Sequence, residues 1–305
     1  MTRVAVTSRS FSNHPQLRDA LTQRYDTVIF NDKGKTLAGH ELIDFLQDYD
    51  KAIVGLERFD ANVLNNLPNL KTISRFGIGL DTLDLATMEK NGIKLAFTAG
   101  ANKRSVAELV IALAINMLRH LPQANAEILQ GNWKQYKGRQ LSGSCVGIVG
   151  LGAIGKDLAL LLNAFNCNVI SHCIADNTEF CKTHNIINTS LDDLLQQADI
   201  VTLHMPLDTS TRYIIDERRL NMMKQNAVLI NAARGGLVDE KALKTRLKKH
   251  KLFAAAFDVF EVEPLQDQEL LQLPNFFATP HVGGSTEEAI LAMGYAAIEG
   301  LEKAV

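Results

Sequence analysis

Short β-branched runs recur along the N-terminal part of the chain: Val4-Ala5-Val6, Val28-Ile29-Phe30, Ala52-Ile53-Val54, Thr72-Ile73-Ser74 and Lys94-Leu95-Ala96-Phe97. Helix-like stretches separate them; Ala61 to Leu67 puts Val63, Leu64 and Leu67 at helical spacing before Pro68 stops it. Short strands alternating with helices imply a parallel sheet covered on both faces. A longer apolar stretch, Ser105 to Arg119, is dominated by Val106, Leu109, Val110, Leu113 and Leu118. It predicts a largely buried helix connecting two domains, with Glu108 as its interior charge. An amphipathic stretch, Ala124 to Trp133, follows and ends near Gly131. The alternation then restarts with strands at Val146-Gly147-Ile148-Val149, Val169-Ile170, Ile200 to Leu203, Val228 to Asn231, Ala254 to Phe257 and Phe276 to Ala278. Helices are predicted at Ile154 to Phe165 and Ser285 to Val305.

Composition adds limits rather than direction. The chain has 305 residues, more than one hydrophobic core usually serves, so two domains are expected. A formal net charge of -2 gives no general attraction to nucleic acid or to an anionic membrane. No segment reaches the ~18 uninterrupted apolar residues that span a bilayer. The four cysteines, Cys145, Cys167, Cys173 and Cys181, form no CxxC pair and no zinc spacing. Reduced thiols, a cytoplasmic location and no metal site are the expectations. Trp133 and Tyr136 are candidates for packing on a partner subunit, with packing inside the same chain an equal alternative.

Gly150-Leu-Gly152-Ala-Ile-Gly155 directly follows an apolar strand and opens a helix. In that position each glycine has a job: a tight turn, close approach of backbone to a pyrophosphate, and close packing of helix on strand. The helix N-terminus offers N–H groups and partial positive charge to phosphates. The expected acid at the end of the second strand, which would take the ribose hydroxyls, is missing. Cys173 stands there, and Asp176 is the nearest carboxylate.

Three later segments carry further chemistry. Asn231-Ala-Ala-Arg234-Gly-Gly follows a buried strand, and the planar fork of Arg234 matches a carboxylate. Phe257-Asp-Val-Phe-Glu-Val-Glu263-Pro follows another strand. Thr279-Pro-His281-Val-Gly-Gly-Ser-Thr precedes the last helix. A histidine can exchange a hydroxyl proton near neutral pH, and a carboxylate can hold its other ring nitrogen.

With Arg75-Phe-Gly-Ile-Gly-Leu-Asp81, Ala101-Asn-Lys-Arg-Ser-Val-Ala-Glu108 and Leu203-His-Met-Pro206 added to these segments, the chain resembles the D-isomer-specific 2-hydroxyacid dehydrogenases over nearly its whole length. The resemblance implies an α/β fold of two Rossmann-like doubly wound parallel-sheet domains. Residues 1–98 and 281–305 would form a discontinuous substrate domain, and residues 99–280 an NAD(P)-binding domain. It implies hydride transfer between a nicotinamide cofactor and a D-2-hydroxy acid, with Arg234, Glu263 and His281 catalytic. Gly150, Gly152, Ala153, Ile154, Gly155, Cys173, His204, Pro206, Ala232 and Asp258 would line NAD, with NADP admitted, and Asp258 would lie near the nicotinamide carboxamide. Ile78, Gly79, Asn102 and Arg234 would hold the substrate. A homodimer through the coenzyme domain is also implied. The wording of the motifs is nearest to 3-phosphoglycerate dehydrogenases. Glu57, where those enzymes often carry an arginine, should repel a substrate phosphate, with Arg58 beside it to compensate. A hydroxypyruvate or glyoxylate reductase is the alternative, and a dinucleotide-sensing, corepressor-like binding protein is the reading from another class.

Overall fold

The computed structural model of the chain describes residues 2–303. Two sheets, each wholly parallel, organise it. The first holds β1 (Arg3–Val6), β2 (Thr27–Phe30), β3 (Lys51–Val54), β4 (Thr72–Arg75) and β5 (Lys94–Ala96) in the order β2-β1-β3-β4-β5. The second holds β6 (Cys145–Val149), β7 (Asn168–His172), β8 (Ile187–Asn188), β9 (Ile200–Leu203), β10 (Val228–Asn231), β11 (Ala254–Phe257) and β12 (Phe276–Ala278). Its order is β12-β11-β10-β9-β6-β7-β8, so the winding direction reverses at β6. Crevices at such reversals, outside the carboxyl ends of the strands, are where open α/β sheets bind ligands.

The chain divides into one unit of residues 1–102 with 284–305 and a second of residues 103–283. The sequence-based division set the two crossings at residues 99 and 281. Each sheet is buried on both faces, and the alternation of its strands shows how. In β1, Val4 and Val6 join one core with Phe11, Leu17 and Ile298, while Ala5 joins the other with Leu42, Val54 and Ile73. In β10, Val228 and Ile230 pack to one side and Leu229 to the other. The helix Glu287–Lys303 closes the first unit: the Ser74 hydroxyl donates to the Ala297 carbonyl over 2.7 Å. The last two residues of the expected final helix lie outside the described residues.

Several sequence expectations shift. The helix expected from Ser105 spans Lys103–Leu118 and belongs wholly to the second unit. Glu108 is exposed on it rather than interior, because the buried stripe runs through Ser105, Val106, Ala107 and Val110. The exposed Arg104 on the same helix donates through Nε and Nη2 to the buried Asp157 carboxylate at 2.7 and 3.0 Å. The next helix spans Leu121–Leu129 and starts earlier than the pattern suggested. Pro122 falls in its first turn, where no N–H is needed, and His120 in the left-handed region separates it from its predecessor. Strand β8 is two exposed residues and carries no pattern to read. Of the two aromatic candidates, Tyr136 packs within the chain, stacked on His120 and donating to Glu127, whereas Trp133 is 86% exposed.

Candidate active site

The turn after β6 is shaped by what a side chain would strike. A Cβ on Gly150, which has φ +100°, would lie 2.3 Å from the His204 carbonyl oxygen, and one on Gly155 would lie 2.3 Å from that of Gly150. Both glycines are therefore fixed by close backbone packing. Gly152 is different: a Cβ there meets nothing within 4 Å. It opens the helix Ala153–Ala164, whose N-terminus has no side-chain cap. An open cradle beside an uncapped helix of 12 residues suits a pyrophosphate, so the residues fit a dinucleotide. Ala153 is exposed and Ile154 half-buried at the same turn.

The other expected lining residues sit at the carboxyl ends of the neighbouring strands. His204 and Pro206 follow β9, and the His204 N–H donates to Val149 over 2.7 Å. The His204 Nε2 lies 2.9 Å from the Thr202 hydroxyl, while its buried Nδ1 has no hydrogen-bond partner among the described residues. Burial pushes its pKa down to about 4, so the ring is neutral near pH 7. Ala232 is buried just past β10, and Cys173 is half-buried just past β7.

Three loops at the β10, β11 and β12 ends bring the catalytic candidates together. Asn231 holds the first: its side-chain amide donates to the Arg234 carbonyl at 2.8 Å and its oxygen accepts the Ala233 N–H at 3.1 Å. Gly235 then passes so close to the next loop that a Cβ would lie 1.9 Å from Phe260 backbone atoms. On that second loop the Glu263 carboxylate accepts the Phe260 N–H at 3.0 Å and faces His281 Nδ1 at 2.8 Å. The hydrogen bond with Glu263 raises the His281 pKa above its ordinary value, against burial, which lowers it. Burial pushes the Glu263 carboxyl up, but the bonds with His281 and Phe260 outweigh it and hold the group below its ordinary value. The charge of Arg234 acts on both, lowering each. With Nδ1 engaged, His281 keeps Nε2 for proton exchange.

Asp258 does something the sequence did not show. Its buried carboxylate accepts the Thr279 hydroxyl at 2.6 Å and the N–H groups of Val282 and Gly283, each at 2.8 Å. Its carbonyl also accepts the His281 N–H at 2.9 Å. One residue thus fixes the loop on which His281 stands in the left-handed region at φ +55°. Thr279, Asn231 and Thr202 were missed by sequence reasoning. The available signal was a polar residue closing an apolar run, as in Val-Leu-Ile-Asn231.

Arg58, Ile78, Gly79 and Asn102 belong to the other unit. Ile78 and Gly79 follow β4, and among the described residues their N–H groups have no partner. The Asn102 Oδ1 is buried and likewise without a partner. Arg58 is exposed past the end of β3 and forms no ion pair among the described residues. Glu57 does not face outward as expected. It is buried, and its Oε2 accepts the Thr7 hydroxyl at 2.9 Å and the Gly55 N–H at 2.7 Å. Its carboxylate ties the β1 and β3 ends together and is turned away from solvent.

The family model for the NAD binding domain of D-isomer specific 2-hydroxyacid dehydrogenases matches residues 111–283. The chain is 38% identical to D-3-phosphoglycerate dehydrogenase of Methanocaldococcus jannaschii over 88% of its own length and 52% of that protein. It is 37% identical to hydroxypyruvate reductase of Thermotoga maritima over 86% of its own length and 87% of that protein. The chain thus spans about half the length of the phosphoglycerate dehydrogenases it matches. Among solved structures, an acyclic imino acid reductase in complex with NADPH and D-Arg superposes with a TM-score of 0.90 at 26% identity, covering 99% of this chain and 96% of the other.

Proposed function

The chain belongs to the D-isomer-specific 2-hydroxyacid dehydrogenase family, and from that premise we propose that it interconverts a D-2-hydroxy acid and its 2-oxo acid with NAD(H). The observation that carries this is the meeting of Arg234, Glu263 and His281 at the end of the sheet that also carries the glycine turn. When bound, the nicotinamide ring gives or takes the hydride. His281 Nε2 supplies the proton to the carbonyl oxygen during reduction and removes it from the hydroxyl during oxidation. Glu263 keeps Nδ1 hydrogen-bonded and stabilises the imidazolium. Arg234 offers its fork to the substrate carboxylate.

The leading substrate is 3-phosphoglycerate, because Arg58 is exposed and without an ion pair among the described residues, and Glu57, turned inward, presents no charge against a phosphate. One observation favours a hydroxypyruvate or glyoxylate reductase instead: the Thermotoga maritima hydroxypyruvate reductase matches over most of both chains. A panel of 2-oxo acids with and without phosphate, followed by NADH absorbance, tests both. Turnover on phosphohydroxypyruvate alone supports the first, turnover on hydroxypyruvate or glyoxylate alone the second, and turnover on none rejects the enzyme. A homodimer fits the apolar surface of the helix Leu121–Leu129, where Leu129 is 79% exposed, with Trp133, 86% exposed, shortly after it in the chain. Trp133→Asp should halve the mass seen in sedimentation; a monomeric parent protein rejects the dimer.

A further inference from the structure

In an open parallel sheet with a glycine turn, the strand next to the turn usually ends in a carboxylate. That group accepts two ribose hydroxyls and repels a 2′-phosphate, which is how NADP is refused. Here β7 ends at His172, and Cys173 occupies that point. The thiol packs on the same apolar layer as Ile154 and Phe180, so it offers the ribose neither charge nor a strong acceptor. Ile174, next in the chain, is fully exposed. The nearby carboxylate is partly committed elsewhere: Asp176 Oδ1 accepts the Thr178 N–H at 2.9 Å within its own turn. The His172 Nδ1 is 3.0 Å from the Thr189 carbonyl and is likewise engaged.

A cation on the neighbouring helix packs on Phe180, which shares the apolar layer of Cys173. Lys156, on the helix that the glycine turn opens, places its ammonium 5.2 Å from the centroid of the Phe180 ring. Among the described residues no carboxylate pairs with it. The ammonium is held by a ring face and keeps its hydrogen-bond donors for another acceptor.

We propose that this ribose end accepts a 2′-phosphate, with Cys173 withdrawing the usual refusal and Lys156 supplying the counter-charge, so that the protein binds NADPH and NADH with comparable affinity. The proposal rests on reading the glycine turn as a dinucleotide site. A hydrogen-bonded carboxylate contributes roughly one to two orders of magnitude in affinity, and its removal is expected to leave a preference of about tenfold or less.

Calorimetric titration of the 305-residue protein with NADH and with NADPH, without substrate, tests this apart from catalysis. The dissociation constants should lie within about tenfold of one another. Cys173→Asp should tighten NADH and weaken NADPH, moving their ratio by about a hundredfold. Cys173→Ser, which adds no charge, should leave the ratio near that of the parent and guards against a folding artefact. Lys156→Met should weaken NADPH more than NADH. A parent protein that prefers NADH by several hundredfold, or a Cys173→Asp protein with an unchanged ratio, overturns the proposal while the dinucleotide site stands. Equal loss of both cofactors in Lys156→Met removes Lys156 from it. Failure of the parent protein to bind either cofactor overturns the dinucleotide reading itself.

Discussion

The two sheets present their polar groups at the carboxyl edge in opposite conditions. At the β10 to β12 edge, Asn231, Asp258, Thr279, Glu263 and His281 are bonded to one another or to the loops that carry them. Past β3, β4 and β5, the N–H groups of Ile78 and Gly79 and the oxygen of Asn102 are uncommitted among the described residues, and Arg58 has no counter-ion. At the first edge each supporting group is used up in holding the geometry around His281, the proposed proton donor. The second is suited to grip something, and a donor already engaged cannot do so. Of these groups the Asn102 oxygen is the buried one, and leaving such an atom unmatched costs about 1–3 kcal/mol.

This contrast can be broken by substitution. The largest effect should come from His281→Ala, which removes the aimed group: turnover should drop by roughly two to four orders of magnitude while calorimetry still detects cofactor. A loss of only a few-fold would reject the assignment. Arg234→Lys keeps charge but loses the fork, so KM for the 2-oxo acid should rise about tenfold or more and kcat should fall as well. Unchanged kinetics would make Arg234 a turn residue.

Glu263→Gln sharpens the electrostatics. The carboxylate raises the His281 pKa, whereas burial lowers it, so removal leaves burial to dominate. Reduction needs the protonated ring and fails as pH rises through that pKa. In the parent enzyme this limb lies above the ordinary histidine value, and in Glu263→Gln it should move to lower pH; oxidation should begin at correspondingly lower pH. Coincident pH profiles would remove Glu263 from the mechanism. Asp258→Asn puts an amide where three donors converge, so the protein should lose about 1–3 kcal/mol of stability in denaturant titration, with a parallel fall in turnover. An unchanged midpoint would show that the loop is held otherwise. The smallest effect on stability belongs to the open edge: Arg58→Ala should change it by less than about 0.5 kcal/mol, yet raise KM for a phosphorylated substrate and spare glyoxylate. Equal losses on both substrates would argue against a phosphate role.

Most strands could be read directly, because a parallel strand buried on both faces must be a short apolar run bounded by polar residues. Strand β8 could not, since two exposed residues have no buried face to leave a pattern. Glu108 and Glu57 show the two ways a charge is misplaced. Glu108 lies in an apolar stretch but on the exposed side of its helix, so the stretch alone misled. Glu57 lies in a loop, where exposure is the default, and is buried by partners about fifty residues away in sequence and beside it, Thr7 and Gly55. The candidate site residues were recognisable from ordered motifs, but the use of Asp258 was not. Its three donors come from a loop beyond another strand, and only the fold brings them to it.

The division of the chain at residues 102 and 284 sets an order of events during synthesis. The unit that carries the glycine turn, Arg234, Glu263 and His281 is one uninterrupted stretch. The other begins first but buries Ala297, Ile298 and Leu301 in its core, so it waits for the last helix to be made. The second-encoded unit should therefore be the first to fold, while the β1 to β5 strands remain exposed to proteases and chaperones. Proteolysis of ribosome-bound chains stalled with residue 284 just outside the exit tunnel should cleave within residues 1–102 and spare 103–283. Protection of both segments would show that the first sheet is stable without its closing helix.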